Sequence, residues 1–486
     1  MRKMNYKKYW RLLLVAIVAG FASCNEDNPI TLESEFSPEM FTATSNSTLV
    51  NTKMINIGNV TDDTIFEMYS TILTTSGKVN EYTLNVCGMA AVSLKDGAQD
   101  QQHPVTNATL INKGTITIHT RDLVEAYKDQ IQTPDDLTRK YKYLRVIGLY
   151  AGDNSTVIND GVINVYFDHD PDFTGMVYVM GLVSGDGSTV INNGEINFYG
   201  TGTVTTRMRG VATFADNIKI ENHGLISADV QMADDSRAIT TGGTFSDVYN
   251  DGTIRLRLGG TVCCITRYGN TKIVNEGLID ITSTSVPEEY DNGSNKMISA
   301  LYEPLTGSRN GMPAMINRGT IVLTMDNTAP ADPNRMMFGM LFDLQAPGGE
   351  IWNVNIINEG KILVNNPGKY MMCEACFMGR PTSAAGVCTI TMGTWKTRLR
   401  DFTKKRDMFN AMGVNMDFSK ATLLLEADED YVPGTAYSIA PEAIMTNMGG
   451  TTYRYEYSGY DEMDVQSATE GMTLVWDKAA KTAALQ

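Results

Sequence analysis

Histidine is nearly absent from this chain: four in 486 residues, His103, His119, His169 and His223, at scattered positions. Chemistry that needs a histidine base or a histidine-rich metal site therefore has little to draw on. There is no serine-nucleophile motif and no phosphate-binding loop. A glycosidase needs two acids held at a defined separation, and no such pair stands out among the 56 acidic residues. Cys373, Cys376 and Cys388 lack the fourth ligand of a zinc site; whether Cys376 and Cys388 form a disulfide is left open by the sequence. No basic patch interleaved with aromatics is present, and the net charge is −16, so nucleic acid is excluded as a partner. The apolar run Leu12–Phe21 is shorter than the roughly 20 residues that span a bilayer.

That run has a setting. Arg2, Lys3, Lys7, Lys8 and Arg11 precede it, and Ala22, Ser23 and Cys24 follow it. A basic start, a short apolar run and small residues describe a secretory signal. Small residues directly before a Cys resemble a bacterial lipobox, with Phe21 a departure from the usual Leu-like residue. The resemblance implies a signal over 1–23 and acylation of Cys24, hence anchoring to a lipid bilayer. Asn25-Glu26-Asp27-Asn28 is similar to the acidic tether of lipoproteins sent to the outer face of a Gram-negative outer membrane, which implies a tether over 24–47 and an exterior location.

From about residue 48 the chain repeats. Asn-x-Gly-x-Ile occurs eight times, beginning at Asn112, Asn159, Asn192, Asn222, Asn250, Asn275, Asn317 and Asn358. A weaker first copy reads at Asn56-Ile57-Gly58-Asn59-Val60, and Thr391-Met392-Gly393 reads as a degenerate last corner. Two residues beyond each Ile is a second apolar position, such as Val165 or Leu256. Apolar residues at intervals of two predict strands rather than helices. Asn and Gly tolerate positive φ, so the motif predicts a corner between two strands. Coils about 4.8 Å apart would stack Ile on Ile and Asn on Asn, the Asn residues adding amide hydrogen bonds. Upstream of each Asn lies an apolar–small–apolar block, from Cys87-Gly88-Met89 through Ile147-Gly148-Leu149 to Ile298-Ser299-Ala300 and Cys373-Glu374-Ala375, where Glu374 intrudes in the small slot. Cys87, Cys263 and Cys373 share one column of this block, which predicts a stack of buried thiols.

Repeats of this kind resemble the right-handed parallel β-helix of autotransporter passengers and haemagglutinin-type adhesins, over 48–395. The resemblance implies an all-β solenoid with a strand-rich C-terminal cap over 396–486, and a role in binding glycans or host surfaces rather than in catalysis. Polysaccharide lyases and glycosidases share the shape, so a carbohydrate-active enzyme is the rival, and a structural surface component a third reading. The basic stretch from Lys396 to Arg406 reads as an amphipathic helix or loop belonging to the cap.

Binding candidates follow from the repeat frame. Arg209 and Arg237 occupy one column on successive coils, with Arg255 and Arg257 nearby; such a strip could hold acidic sugar groups. Tyr166 and Tyr199 are aromatic surfaces for sugar rings. Asp168, Asp170 and Asp172 form an oxygen-rich loop of the kind that suits calcium, though without the EF-hand spacing. Loops that interrupt the repeat, above all the insertion over the 120s to 140s and the long loops before Asn317 and Asn358, are where function is expected.

Overall fold

The computed structural model describes residues 30–31, 42–58, 67–72, 81–91, 93–95, 98–99, 104–213, 215–242, 245–267, 271–284, 297–306, 313–326, 336–345, 351–352, 355–365, 371–379, 388–401, 409–412, 414–439, 445–448, 451–454 and 457–486. Residues 1–23, read above as a signal, Cys24 and most of 24–47, read as a tether, lie outside the described residues. The described chain is a right-handed parallel β-helix. Each coil gives one strand to each of three stacked sheets. In one coil these are Tyr141–Ala151 in sheet III, Thr156–Asn159 in sheet I and Val162–Phe167 in sheet II; the next supplies Met176–Ser184, Thr189–Asn192 and Glu195–Gly200 in the same order. Alternation sets the faces: Val157, Ile163 and Val165 point inward and are fully buried, and the residues between them face out.

The corner between sheets I and II is built differently from the sequence expectation. None of the Asn or Gly residues of the eight copies has positive φ. Gly is required there by the approach of the preceding coil: a Cβ on Gly252 would land on the carbonyl oxygen of Gly224, and the same holds from Gly161 to Gly360. That approach exists because most of the Asn carbonyls accept two N–H groups from the next corner, as Asn192 does from His223 (2.8 Å) and Gly224 (3.0 Å). The Asn side chains are fully buried and form one unidirectional chain. From Asn51 to Asn358, each Nδ2 donates to the Oδ1 of the next coil at 2.6–2.8 Å. Both ends are closed: Lys53 N donates to Asn51 Oδ1 (3.0 Å), and Asn358 Nδ2 donates to the carbonyl of Lys396 (2.6 Å).

Three registers read from the sequence are corrected. The first rung is Asn51-Thr52-Lys53-Met54-Ile55, since Asn51 pairs with Asn112 and Ile55 with Ile116. The Asn56–Val60 reading kept the spacing but missed the partner; Lys stands in the Gly slot because no described corner stacks before it. In sheet III, Cys263 pairs with Ser299 and Ile265 with Leu301, so that block is Ser299-Ala300-Leu301, one residue later than expected. The last rung is Trp395-Lys396-Thr397-Arg398-Leu399, with Trp395 paired to Asn358. The slot between the apolar residues is small because it faces the Ile ladder: a Cβ on Gly181 would meet Ile196 Cγ2 at 2.9 Å, and one on Gly339 would meet Ile362 Cγ2 at 2.8 Å. The cysteine column is present. Cys87 packs with Ile147 and Met180, and Cys373 with Phe338 and with Cys376, a free buried thiol.

Sheet I runs on past residue 395 through Thr394–Arg398, Thr422–Glu426 and Asp464–Ser467. The start of the basic stretch is thus a strand, with Trp395 and Thr397 inward and Lys396 and Arg398 outward; residues 402–408 lie outside the described residues. An antiparallel sheet of Tyr437–Ser438, Thr482–Leu485 and Leu474–Asp477 closes the chain. Turning antiparallel ends the stack and limits the open edge of a solenoid.

The variable corner residues stack outward in pairs of opposite character: Asn193 with Asp160 (2.8 Å), His223 with Asp251 (2.6 Å) and Arg318 with Glu359 (2.8 Å). Glu221, 3.8 Å from Nε2, and Asp251, 2.6 Å from Nδ1, hold the imidazole of His223 above its ordinary pKa of 6.5. A group raised on folding stabilises below its unfolded pKa and loses that contribution as pH rises through the folded one. His223→Ala is therefore expected to lower the melting temperature at pH 5.5 and to leave it nearly unchanged at pH 9; an equal loss at both would contradict this account.

Candidate functional site

The outward face of sheet II carries a column three residues after each Ile. Register places His119, Tyr166, Tyr199, Asp229 and Arg257 on successive coils. His119 stacks on Tyr166 at 4.8 Å with planes 9° apart, and Tyr166 on Tyr199 at 5.5 Å and 27°. Tyr166 is thus covered on both faces. Tyr199 ends the stack with one ring face turned toward the coil of Asp229, and it is 37 % exposed. The neighbouring column is polar: Asn197 Nδ2 donates to Asn164 Oδ1 (3.2 Å), and Ser227 Oγ donates to Asn197 Oδ1 (2.6 Å). Arg255 continues this column and pairs with Asp280 (3.4 Å); Arg257 pairs with Asp326 (3.1 Å) and Asp229 (3.7 Å).

Directly after His119 the insertion over 120–140 begins as helix α1, Thr120–Tyr127. Thr120, Leu123 and Val124 share its buried side, spaced as a helix requires. Its own sequence supplies no side-chain N-cap. Asp168 of the next coil does: Oδ1 accepts from Arg121 N (2.8 Å), and Oδ2 faces His119 Nδ1 (3.0 Å). Although burial opposes it, contact with His119 and the N–H of Arg121 holds the Asp168 carboxyl below its ordinary pKa. Thr120 Oγ1 donates to the carbonyl of Tyr166 (3.1 Å), accepts from Asp168 N (3.1 Å) and lies 2.8 Å from His169 Nδ1. His169 is 3 % exposed, and burial pushes its pKa down to about 4, so the ring is neutral at physiological pH. Its other nitrogen, Nε2, is buried with no partner.

These groups border an open cleft of about 480 Å³ at the end of sheet II, lined by Arg121, Asp168, His169, Thr201, Gln231 and Met232 among others. Tyr199 leads into it through Gly200 and Thr201. The chain turns there at Gly202, whose φ of 58° and closeness to the carbonyl of Met232 admit no side chain. The exposed ring of Tyr199 thus adjoins, along the chain, a cleft lined by charged, neutral polar and apolar groups on a rigid scaffold.

Other expected site residues are elsewhere or engaged. Arg209 and Arg237 do occupy successive coils, but neither forms an open strip. Arg209 is 3 % exposed and donates to both the carbonyl and the carboxylate of Asp235 (2.7 Å to Oδ2); Arg237 donates to Asp235 Oδ1 (2.9 Å) and Thr240 Oγ1 (3.2 Å). They brace the fold. Asp168, Asp170 and Asp172 do not converge: Asp168 turns to α1, and Asp170 accepts from Asp172 N (2.9 Å). Among the described residues no three His, Cys, Asp or Glu side chains form a metal-binding group. His119, Arg121, His169 and Gln231 were missed in the sequence. His119 was discoverable, because the column at Ile plus three reads His, Tyr, Tyr.

Residues 22–222 match the family model described as the BigA third pectate lyase-like domain, less than half of the chain. No curated protein matches the sequence. Among solved structures, a mutant tailspike protein of E. coli bacteriophage HK620 in complex with a pentasaccharide is similar at 8 % identity, over 87 % of this chain and 73 % of that one, with a TM-score of 0.21.

Proposed function

We propose that this protein is a lipid-anchored solenoid, displayed at the bacterial surface, that binds glycans on sheet II without catalysis. The observation that carries the reading is Tyr199, an exposed ring that ends the aromatic stack on sheet II and directly precedes Gly200 and Thr201 of the cleft lining. An apolar ring face with hydrogen-bonding groups beside it is the surface that a pyranose, apolar on one face and hydroxylated at its rim, can use. The pectate lyase-like description of the matching family model supports a carbohydrate ligand. The lipid anchor rests on the leader and Cys24, and the outer-membrane, outward-facing location on the acidic residues after it.

Tyr199→Ala is expected to weaken glycan binding at least tenfold, about 1.4 kcal/mol, with the fold intact because the side chain is partly exposed. Tyr166→Ala would act through Tyr199, by removing its support. Calorimetry with a ligand found on a glycan array measures both; unchanged affinity in Tyr199→Ala would refute the site. The His119–Asp168 pair beside the cleft favours one rival, a carbohydrate-active enzyme. Sustained depolymerisation of any polysaccharide, abolished in Asp168→Asn, would establish that rival instead.

A further inference from the structure

Resting on the glycan-binding reading for its class of ligand, we propose that the outward face of sheet III carries a second, separate site, where Arg145 holds an anionic group of an acidic glycan, a carboxylate or a sulfate, beside Tyr143 and Tyr178. Alternation turns Tyr143 and Arg145 outward, while Leu144 and Val146 are fully buried. Register pairs Arg145 with Tyr178 of the next coil. The guanidinium carbon lies 6.0 Å from the centre of the Tyr178 ring, and Tyr143 meets that ring edge-on at 5.3 Å with planes 69° apart. The ammonium of Lys142 is 5.2 Å from the centre of the Tyr143 ring. Two cations and two aromatic rings thus form one cluster at the start of the strand that follows the 120–140 insertion.

Arg145 departs from the habit of this molecule's arginines. Arg139, Arg207, Arg209, Arg237, Arg267 and Arg400, all partly or wholly covered, each pair with a carboxylate. Among the described residues Arg145 pairs with none. Burial lowers its pKa, and the groups that act on its charge are the phenols of Tyr178, Tyr143 and Tyr150; a guanidinium stays protonated all the same. Its Nε is sealed from solvent without a partner. Its two terminal nitrogens are neither sealed nor hydrogen-bonded among the described residues, so they open to the surface, and they are the atoms a ligand can reach. The hydroxyls of Tyr143 and Tyr178 are open in the same sense. A half-buried charge without a counterion is costly, and an anion supplied from outside removes that cost.

The chemistry of the cluster selects the ligand group. Guanidinium N–H groups lie in a planar fork that matches two oxygens of a carboxylate or a sulfate. The phenol hydroxyls are neutral donors beside it, and the rings offer an apolar wall to the sugar that carries the charge. A neutral sugar would leave the charge of Arg145 unmatched. The net charge of −16 does not repel an anion from this spot: at physiological salt, charges more than about 8 Å apart are largely screened, and the groups acting on Arg145 are phenols rather than acids. Tyr199 stands on another sheet, so the two sites are separable by mutation.

The test is affinity electrophoresis of the full chain through gels containing hyaluronan, whose charges are carboxylates, or dextran sulfate, whose charges are sulfates, with uncharged dextran as the reference. Retardation by at least one polyanion beyond that in dextran is expected, and which polyanion acts tells carboxylate from sulfate. For so acidic a chain, such retardation is not an effect of bulk charge. Arg145→Met, which keeps an unbranched stem without the charge, should weaken it about tenfold. Arg145→Lys, which keeps the charge without the planar fork, should fall between Met and the native chain, an order that a purely structural role would not produce. If Arg145→Met does not fold, the weaker binding of Arg145→Lys decides. No retardation by either polyanion would overturn the inference, and so would retardation unchanged in the folded variants. Both results leave the sheet II reading standing, because that reading is tested at Tyr199. A glycan array that yields no ligand of any kind would overturn the glycan reading itself.

Discussion

Replacing Asn222 by Leu is expected to lower the unfolding free energy by about 2–5 kcal/mol, although no surface group and no binding residue is touched. Asn222 sits in the middle of the amide chain: its Oδ1 accepts from Asn192 (2.7 Å), and its Nδ2 donates to Asn250 (2.6 Å). Leucine keeps the branch at Cγ but is bulkier, so no cavity forms and crowding adds to the cost. The rest of the loss is the two polar ends left behind, both in fully buried residues. Asn192 Nδ2 keeps its second contact, the carbonyl of Leu225 at 3.2 Å, whereas Asn250 Oδ1 loses the donor that Asn222 supplied. Asn222→Asp separates shape from bonding. It is isosteric, yet it sets an acceptor against an acceptor and buries a charge, so it should cost as much or more. Urea denaturation of both variants measures the effect, and hydrogen exchange should show it concentrated in the coils around residues 192–250, because a solenoid couples mainly nearest neighbours. A loss below about 0.5 kcal/mol for both variants would mean that the ladder is a passenger of coil stacking.

The ladder also shows what a sequence of this kind discloses. Side-chain period and corner spacing are local, so the strands of a coil, the stacked Ile column and the Asn chain were legible from Asn-x-Gly-x-Ile and the apolar–small–apolar block before it. The reason for Gly was not: it is the carbonyl of the previous coil, a contact between residues some 25–47 positions apart, that excludes a side chain. The first rung was misread because Lys53 replaces Gly where no described corner precedes it. The slip at Ser299 arose because Ile298 and Leu301 are both apolar, and only pairing to Ile265 tells them apart. For the site, the column position of Tyr166 and Tyr199 was within reach, but that Tyr166 is sandwiched and Tyr199 open depends on which coil ends the stack. Arg209 and Arg237 share a column as expected, and their burial on Asp235 comes from a turn no periodicity describes. The cleft joins α1, whose cap comes from Asp168 some 47 residues on, to a strand two coils further along; only the superhelix brings these together.

Glu374→Ala should cost about 3–5 kcal/mol, the most damaging single truncation expected at the C-terminal end of the solenoid. In earlier coils its slot holds Gly or another small residue facing the Ile ladder; here it holds a carboxylate that is 1 % exposed. The last rung explains the exchange. Trp395 stands where Asn would be and Thr397 where Gly would be, and both turn to this carboxylate: Trp395 Nε1 donates to Oε2 (3.0 Å), Thr397 Oγ1 to Oε1 (2.8 Å) and Arg400 NH2 to Oε1 (2.9 Å). Three departures from the repeat thus form one set, in which an acid replaces the amide ladder as acceptor at the point where that ladder stops. Burial raises the Glu374 carboxyl above its ordinary 4.5, against the pull of Arg400. A group raised on folding contributes stability below its unfolded pKa and loses it as pH rises through the folded value, so the charged form is the costlier one to bury at neutral pH. Glu374→Gln removes that charge and keeps one acceptor oxygen, enough for Trp395 or for Thr397 but not for both, because they donate to different oxygens. Its cost should be smaller than that of Glu374→Ala, and should shrink further from pH 4 to pH 8. Thermal melts of the two variants across that range decide between the roles. If Gln is as damaging as Ala, the charge pairing with Arg400 holds the last rung, and the acceptor role assigned to Glu374 is wrong.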